Sequence, residues 1–188
     1  MAMLGDLGVD ILSLNDFPNV PEVIEDGVTF LENALKKAKA ISEYTGEIVL
    51  ADDSGLEVEY LNGEPGVYSS RYSGADATDD TNIKKLLLAM EGVPREKRGA
   101  AFRCVLVLYF PDGSYESFEG RLTGIMHYRP VGGGGFGYDP ALFLPDWGST
   151  VAQLPMKVKN RISHRAQAIS KFKEAYRRKI LFAEKDIS

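Results

Sequence analysis

Cysteine is nearly absent. Cys104 is the only one, which excludes an internal disulfide framework, and its place in the apolar run 102–110 makes it a buried thiol. No hydrophobic stretch is long enough to span a bilayer, and the start of the chain lacks a basic-then-apolar signal pattern. A cytoplasmic protein with no membrane contact is expected. Repeats, low-complexity tracts and linkers are missing too, so the 188 residues read as one domain, 1–188, long enough to bury a core. Nor is there an excess of positive charge: the net charge is −5. That argues against general nucleic-acid binding, because phosphates demand a basic face. A few local cations can still hold a small anion, and the basic run Tyr176-Arg177-Arg178-Lys179 reads as a solvated helix face.

Hydrophobic periodicity supplies the elements. Phe30, Ala34, Leu35, Ala38 and Ile41 recur at helical spacing over 29–44, with Gly46 able to end the helix. Residues 47–51 form a short apolar strand and 56–61 alternate as a second, followed by the turn Asn62-Gly63-Glu64-Pro65-Gly66. A second helix is predicted over 78–90. The long β run 101–110 turns at Pro111-Asp112-Gly113 into 115–126, a hairpin. After another strand at 141–144, a closing helix over 163–182 directs Ala168, Ile169, Phe172, Tyr176 and Ile180 towards the core. The pattern is α/β with a mixed sheet.

Two regions carry the chemistry. Asp52 and Asp53 follow a strand and precede Ser54-Gly55, which predicts a tight turn at a sheet edge, where ligands of open α/β sheets bind. Adjacent carboxylates repel unless a cation or proton lies between them. Mg²⁺ satisfies such a pair and accompanies substrate phosphates, and one carboxylate could deprotonate an attacking water. The alternative is an Asx-turn that only shapes the loop. Thr29-x-x-Glu32 fits a capping box, yet Glu32 could instead join the metal carboxylates, as could Glu25.

The second region is the glycine-rich segment 132–135, followed by Phe136-Gly137-Tyr138-Asp139. It is not a P-loop, since no Gly-Lys-Ser/Thr follows. Phe136 or Tyr138 could stack on a base, with Asp139 accepting a hydrogen bond; equally, both aromatics could be core beside a turn. If Ser163 is an N-cap, His164 and Arg165 put two potential cations in a first turn whose dipole favours anions. A bound anion would compensate them, and Lys159 could add a donor.

Taken together, Thr29-Phe30-Leu31-Glu32-Asn33-Ala34, Ala51-Asp52-Asp53-Ser54-Gly55-Leu56, Pro65-Gly66-Val67-Tyr68-Ser69-Ser70-Arg71-Tyr72, Gly135-Phe136-Gly137-Tyr138-Asp139-Pro140 and Lys159-Asn160-Arg161-Ile162-Ser163-His164-Arg165 resemble, in order and spacing, the inosine triphosphate pyrophosphatase family. The resemblance implies Mg²⁺-dependent hydrolysis of non-standard purine nucleoside triphosphates (ITP, dITP, XTP) to the monophosphate and pyrophosphate, by a homodimer. It also implies an elongated mixed β-sheet flanked by helices, with two lobes and a central substrate cleft. By motif position, Asp53 would be general base and metal ligand, with Asp52, Glu32 and Glu25 as further metal carboxylates. Ser54 would touch substrate, and Phe136, Gly137, Tyr138 and Asp139 would hold the nucleoside. Lys159, His164 and Arg165 would recognise the base and anionic groups.

The sequence departs from this family in its opening strand and Ser/Thr-x-Asn-x-x-Lys loop. Residues 1–8 look instead like the tail of the helix that follows that loop, so a late-assigned start or a real loss is expected. Gln153 stands where the family often has Glu. The alternative function is therefore a catalytically impaired nucleotide-binding dimer.

Overall fold

The computed structural model describes residues 4, 5 and 7–185, with side chains up to residue 178. Ile180 therefore lies outside the described side chains; of residues 1–8, expected as a helix tail, residues 4, 5, 7 and 8 are described and form turns and bends rather than helix, with Leu7 N–H donating to Leu4 O at 3.2 Å. The chain divides into two compact units, residues 1–53, 104–120 and 165–188, and residues 54–103 and 121–164.

Helix α1 spans Phe30–Thr45 and begins in a full capping box, with Thr29 accepting from Glu32 N–H and the Glu32 carboxylate reaching back to the cap. It ends at Gly46, whose φ of 75° is the left-handed conformation that glycine adopts without a Cβ penalty. Its buried face includes Phe30, Ala34, Ala38 and Ile41, as the periodicity predicts, while Leu35, also expected there, is only half-buried. Helix α2 is Asp79–Ala89, α3 is Met156–Ile162 and α4 is His164–Lys185. The periodicity does not predict α3. Ser163, extended at φ −63° and ψ 157°, separates it from α4.

Strand β1 runs Val49–Val58, β2 Gly99–Tyr109, β3 Tyr115–Met126, β4 Leu142–Leu144 and β5 Ser149–Thr150. They lie side by side in chain order. β1 leaves the first unit for the second, β2 returns and β3 leaves again, so these neighbours run in opposite senses. β4 is antiparallel to both β3 and β5. The α/β class holds, and the described strands form an antiparallel sheet where the alternation of elements suggested a mixed one. The reason lies in the connections. A tight turn joins β2 to β3, and α2 keeps the chain in the second unit, so β2 starts where β1 finishes rather than crossing over.

The expected break between strands 47–51 and 56–61 does not occur. β1 continues through Asp52, Asp53, Ser54 and Gly55, so the two aspartates stand on a strand and not on a turn.

In the first unit, Cys104, Leu106 and Leu108 of β2 pack on Ala168, Ile169 and Phe172 of α4, with Phe118 edge-on to Phe172. The thiol is buried, as expected. In the second, Leu56, Val58, Ile83, Leu86, Met90, Phe102, Met126 and Leu142 form the core. The largest fully buried side chain there is Arg98. Its guanidinium donates to Met126 O and Met90 O at 2.7 Å, to His127 O at 3.0 Å and to Val93 O at 3.4 Å, and it faces the Tyr128 ring. Those carbonyls end α2 and β3, so one side chain closes two elements' loose ends.

Replacing Arg98 by Ala strands several buried carbonyls at once and should destabilise the protein by about 3 kcal/mol or more. Lysine should recover only part of this, because an ammonium cannot span the same fork. Urea unfolding of the two variants checks both.

Candidate active site

The acidic part of the site belongs to the first unit. Successive residues of a strand point to opposite faces, and the two aspartates have different partners accordingly. Asp53 is 8% exposed. It accepts from Asn33 Nδ2 at 3.3 Å and from Lys37 Nζ at 3.1 Å, and Lys37 also holds Glu25 at 2.9 Å. Asn33 is itself fixed, its Oδ1 accepting from Gly27 N–H at 2.7 Å. Asn33 and Lys37 meet the carboxylate together because they lie four residues apart on one face of α1. Burial pushes the Asp53 carboxyl above the ordinary carboxylate range, while Lys37 and Asn33 pull it back. Burial opposes the charge on Lys37, but Glu25 and Asp53 outweigh it and hold the ammonium above its usual value. Perturbed groups gathered in this way are a recurrent mark of reactive sites.

Asp52 accepts instead from Arg165 Nη2 at 2.8 Å and Nε at 3.1 Å, with the Cys104 thiol at 3.7 Å. The adjacent carboxylates thus meet separate partners in this structure, Asp53 on α1 and Asp52 on α4. The anion that compensates Arg165 at the start of α4 is Asp52 itself. Glu32 is committed to its cap. Of the four carboxylates considered as metal ligands, Asp53 and Glu25 converge, whereas Asp52 and Glu32 are occupied elsewhere. Among the described residues no group of three or more His, Cys, Asp or Glu side chains gathers as a metal-binding cluster.

The aromatic loop belongs to the second unit. Lys159 of α3 pairs with Asp139 at 2.5 Å, both side chains nearly buried, and Asp139 also accepts from Phe136 N–H at 3.2 Å. Phe136 is 61% exposed, with Lys159 Nζ 5.7 Å from its ring centre. Tyr138 is buried and donates to Ser69 O at 3.0 Å, which makes it core rather than a stacking surface. Burial also raises its phenol well above the usual value. Gly137 N–H donates to Asp79 at 2.6 Å. His164 is buried with its ring stacked on Phe102, centroids 5.0 Å apart. Ser54 lies half-buried on β1.

Sequence reasoning passes over Lys37, Asn33 and Asp79. The Asn33–Lys37 spacing on a helix face is the available signal for two of them. Asp79 offers only a first-turn acid, which the helix dipole explains unaided.

The chain belongs to the Ham1 family, whose sequence model matches residues 1–175. It is 52% identical over 173 residues to the dITP/XTP pyrophosphatase of Geobacter sulfurreducens, covering 92% of this chain and 87% of that protein. Against the dITP/XTP pyrophosphatase of Desulforamulus reducens it is 46% identical over 182 residues, 97% and 90% of the two. The fold matches that of a HAM1 protein from Coxiella burnetii with a TM-score of 0.87 at 40% identity, over 93% of this chain and 89% of that one.

Gly135 tests how tightly the loop is built. Its φ is 85°, and a Cβ there would run into the Asp139 carboxylate and the Lys159 ammonium. Gly135→Ala should cost about 1–3 kcal/mol from the backbone conformation alone, with further loss as the ion pair is displaced. Chemical denaturation gives the value.

Proposed function

We propose that the chain hydrolyses the non-standard purine nucleoside triphosphates dITP, XTP and ITP to the nucleoside monophosphate and pyrophosphate. The observation that carries this reading is Asp53: a buried carboxylate held in place by Asn33 and Lys37, with Glu25 on the same ammonium. The dITP/XTP pyrophosphatase relatives support the substrate class.

In this reading Asp53 takes the proton of a water that attacks the α-phosphorus. The new P–O bond forms as the bond to the bridging oxygen breaks, and its electron pair leaves with pyrophosphate.

The donors also fit a hard divalent ion. Asp53 and Glu25 already turn their oxygens on one cationic centre, Lys37 Nζ, and Mg²⁺ needs only one or two protein carboxylates when substrate phosphates complete its shell. Bound there, it would neutralise charge on the phosphates. The same reading takes Mg²⁺ as the ion, a homodimer as the assembly and the cytoplasm as the location, on the family resemblance. Among the described residues no helix is long and apolar enough to cross a membrane.

Phe136 supplies an exposed face on which a purine can stack, worth ~1–3 kcal/mol. On the family resemblance, Ser54, Asp139, Lys159 and His164 are read as the remaining polar contacts to the nucleotide, while Gly137 N–H and the Arg165 guanidinium keep their bonds to Asp79 and Asp52 and Tyr138 donates to Ser69 O beneath the loop. Selectivity follows from donors facing the 6-oxo group of hypoxanthine or xanthine. Adenine presents an amino group there and leaves a donor unpaired, a penalty of about 1–3 kcal/mol.

Pyrophosphate release measured with equal ITP, XTP and ATP should favour the first two by roughly ten-fold or more, the ratio that penalty sets. A chelator should abolish it and Mg²⁺ restore it. Equal turnover of ATP would contradict the selectivity.

A further inference from the structure

Phe136 stands exposed at the tip of a glycine-rich loop whose backbone, on its own, would allow many positions for the ring. The structure pins this loop from two sides. Behind it, Asp139 accepts from Phe136 N–H and pairs with Lys159. Ahead of it, Gly137 N–H donates to Asp79 Oδ2 at 2.6 Å across a sequence separation of 58 residues. Asp79 opens the first turn of α2, where the helix dipole favours its negative charge. That turn is anchored in its own right. Thr78 caps it, and the buried Asn82 accepts from Ser73 N–H while donating to Ser69 O and Ser70 O. Ser69 O is also the acceptor for the Tyr138 hydroxyl. The helix start, the 69–73 segment and the aromatic loop thus form one hydrogen-bonded block, in which Asp79 ties α2 to the residue next to Phe136.

We propose that Asp79 is a positioning residue for nucleoside binding: through Gly137 N–H it fixes the loop so that Phe136 presents its ring to the base. Asp79 acts through the loop backbone and takes no part in phosphate chemistry, so its loss should weaken nucleotide binding and leave the chemical step intact. This rests on the reading of Phe136 as the base-stacking residue. The neighbouring Asp80 provides the control. It is exposed in the same helical turn and contributes the same dipole effect, but no bond from it to the loop occurs among the described residues.

The test compares Asp79→Ala, Asp79→Asn and Asp80→Ala with the unmodified protein, using IMP affinity by calorimetry and kcat and KM for ITP, with a thermal melt of each variant. Asp79→Ala should weaken IMP binding and raise KM by roughly ten-fold, as loss of a charge-assisted bond predicts, with kcat little changed. Asp79→Asn keeps an acceptor oxygen and should restore most of the affinity, while Asp80→Ala should bind like the parent. A lowered melting temperature in both alanine variants with equal IMP affinities would reduce Asp79 to a helix-start charge and overturn the proposal. So would a fall in kcat at unchanged KM. If the unmodified protein turns over ITP while Asp79→Ala and Asp80→Ala behave alike, the positioning role fails and the activity stands. If the unmodified protein neither binds IMP nor hydrolyses ITP, both fail.

Discussion

The extended path of β1 through Asp52 and Asp53 sets the roles of nearly every polar group in the first unit. An uninterrupted strand sends two consecutive carboxylates to opposite faces, where a turn could have let them share one cation. One face then receives Asn33 and Lys37 from α1 together with Glu25; the other receives Arg165 from the first turn of α4. A strand tolerates two buried or half-buried acids only because each is met by its own donors. The same division explains the cations at the start of α4. Arg165 would oppose the helix dipole, and the Asp52 carboxylate offsets it from within the chain.

In the second unit rigidity is built on a loop that composition alone would call pliant. Gly135 takes a backbone conformation that brings it against the Asp139–Lys159 pair. Tyr138 is drawn into the core and Gly137 is tied to α2. These contacts leave one ring, Phe136, facing outward. Holding an exposed aromatic in place before ligand arrives lowers the ordering cost on binding, which suits a site that must tell closely similar purines apart. Arg98 serves the scaffold behind it by gathering the carbonyls at the ends of α2 and β3.

Much of this is legible in the sequence. The Phe30, Ala34, Ala38 and Ile41 spacing, the Thr29-x-x-Glu32 box and the hairpin at Pro111-Asp112-Gly113 are local signals, and each element forms where its pattern lies. The acidic and aromatic motifs are legible too, since paired carboxylates and a glycine-bounded aromatic imply a chemistry by residue type alone. The misreadings share a cause: local pattern misleads where tertiary contact decides. Asp-Asp-Ser-Gly has turn composition, but partners on α1 and α4 satisfy both acids and keep β1 continuous. Glu32 is the opposite case: its bonds to Val28 and Thr29 N–H are local and are those the capping-box pattern expects. The Lys37 and Asp79 contacts join residues 16 and 58 positions apart, beyond the reach of any spacing rule.

Two neighbouring aspartates thus divide the labour unequally: Asp52 anchors Arg165, and the proposed reaction assigns proton transfer to Asp53. Steady-state kinetics on ITP and thermal melts of Asp53→Asn and Asp52→Asn, run side by side, separate the two roles. Asp53→Asn should lose at least about 10²-fold in kcat, the scale of lost general-base catalysis, while its fold is kept. Asp52→Asn should keep most of its kcat and melt at a lower temperature. Equal losses of kcat in the two variants, or full activity in Asp53→Asn, would contradict this division.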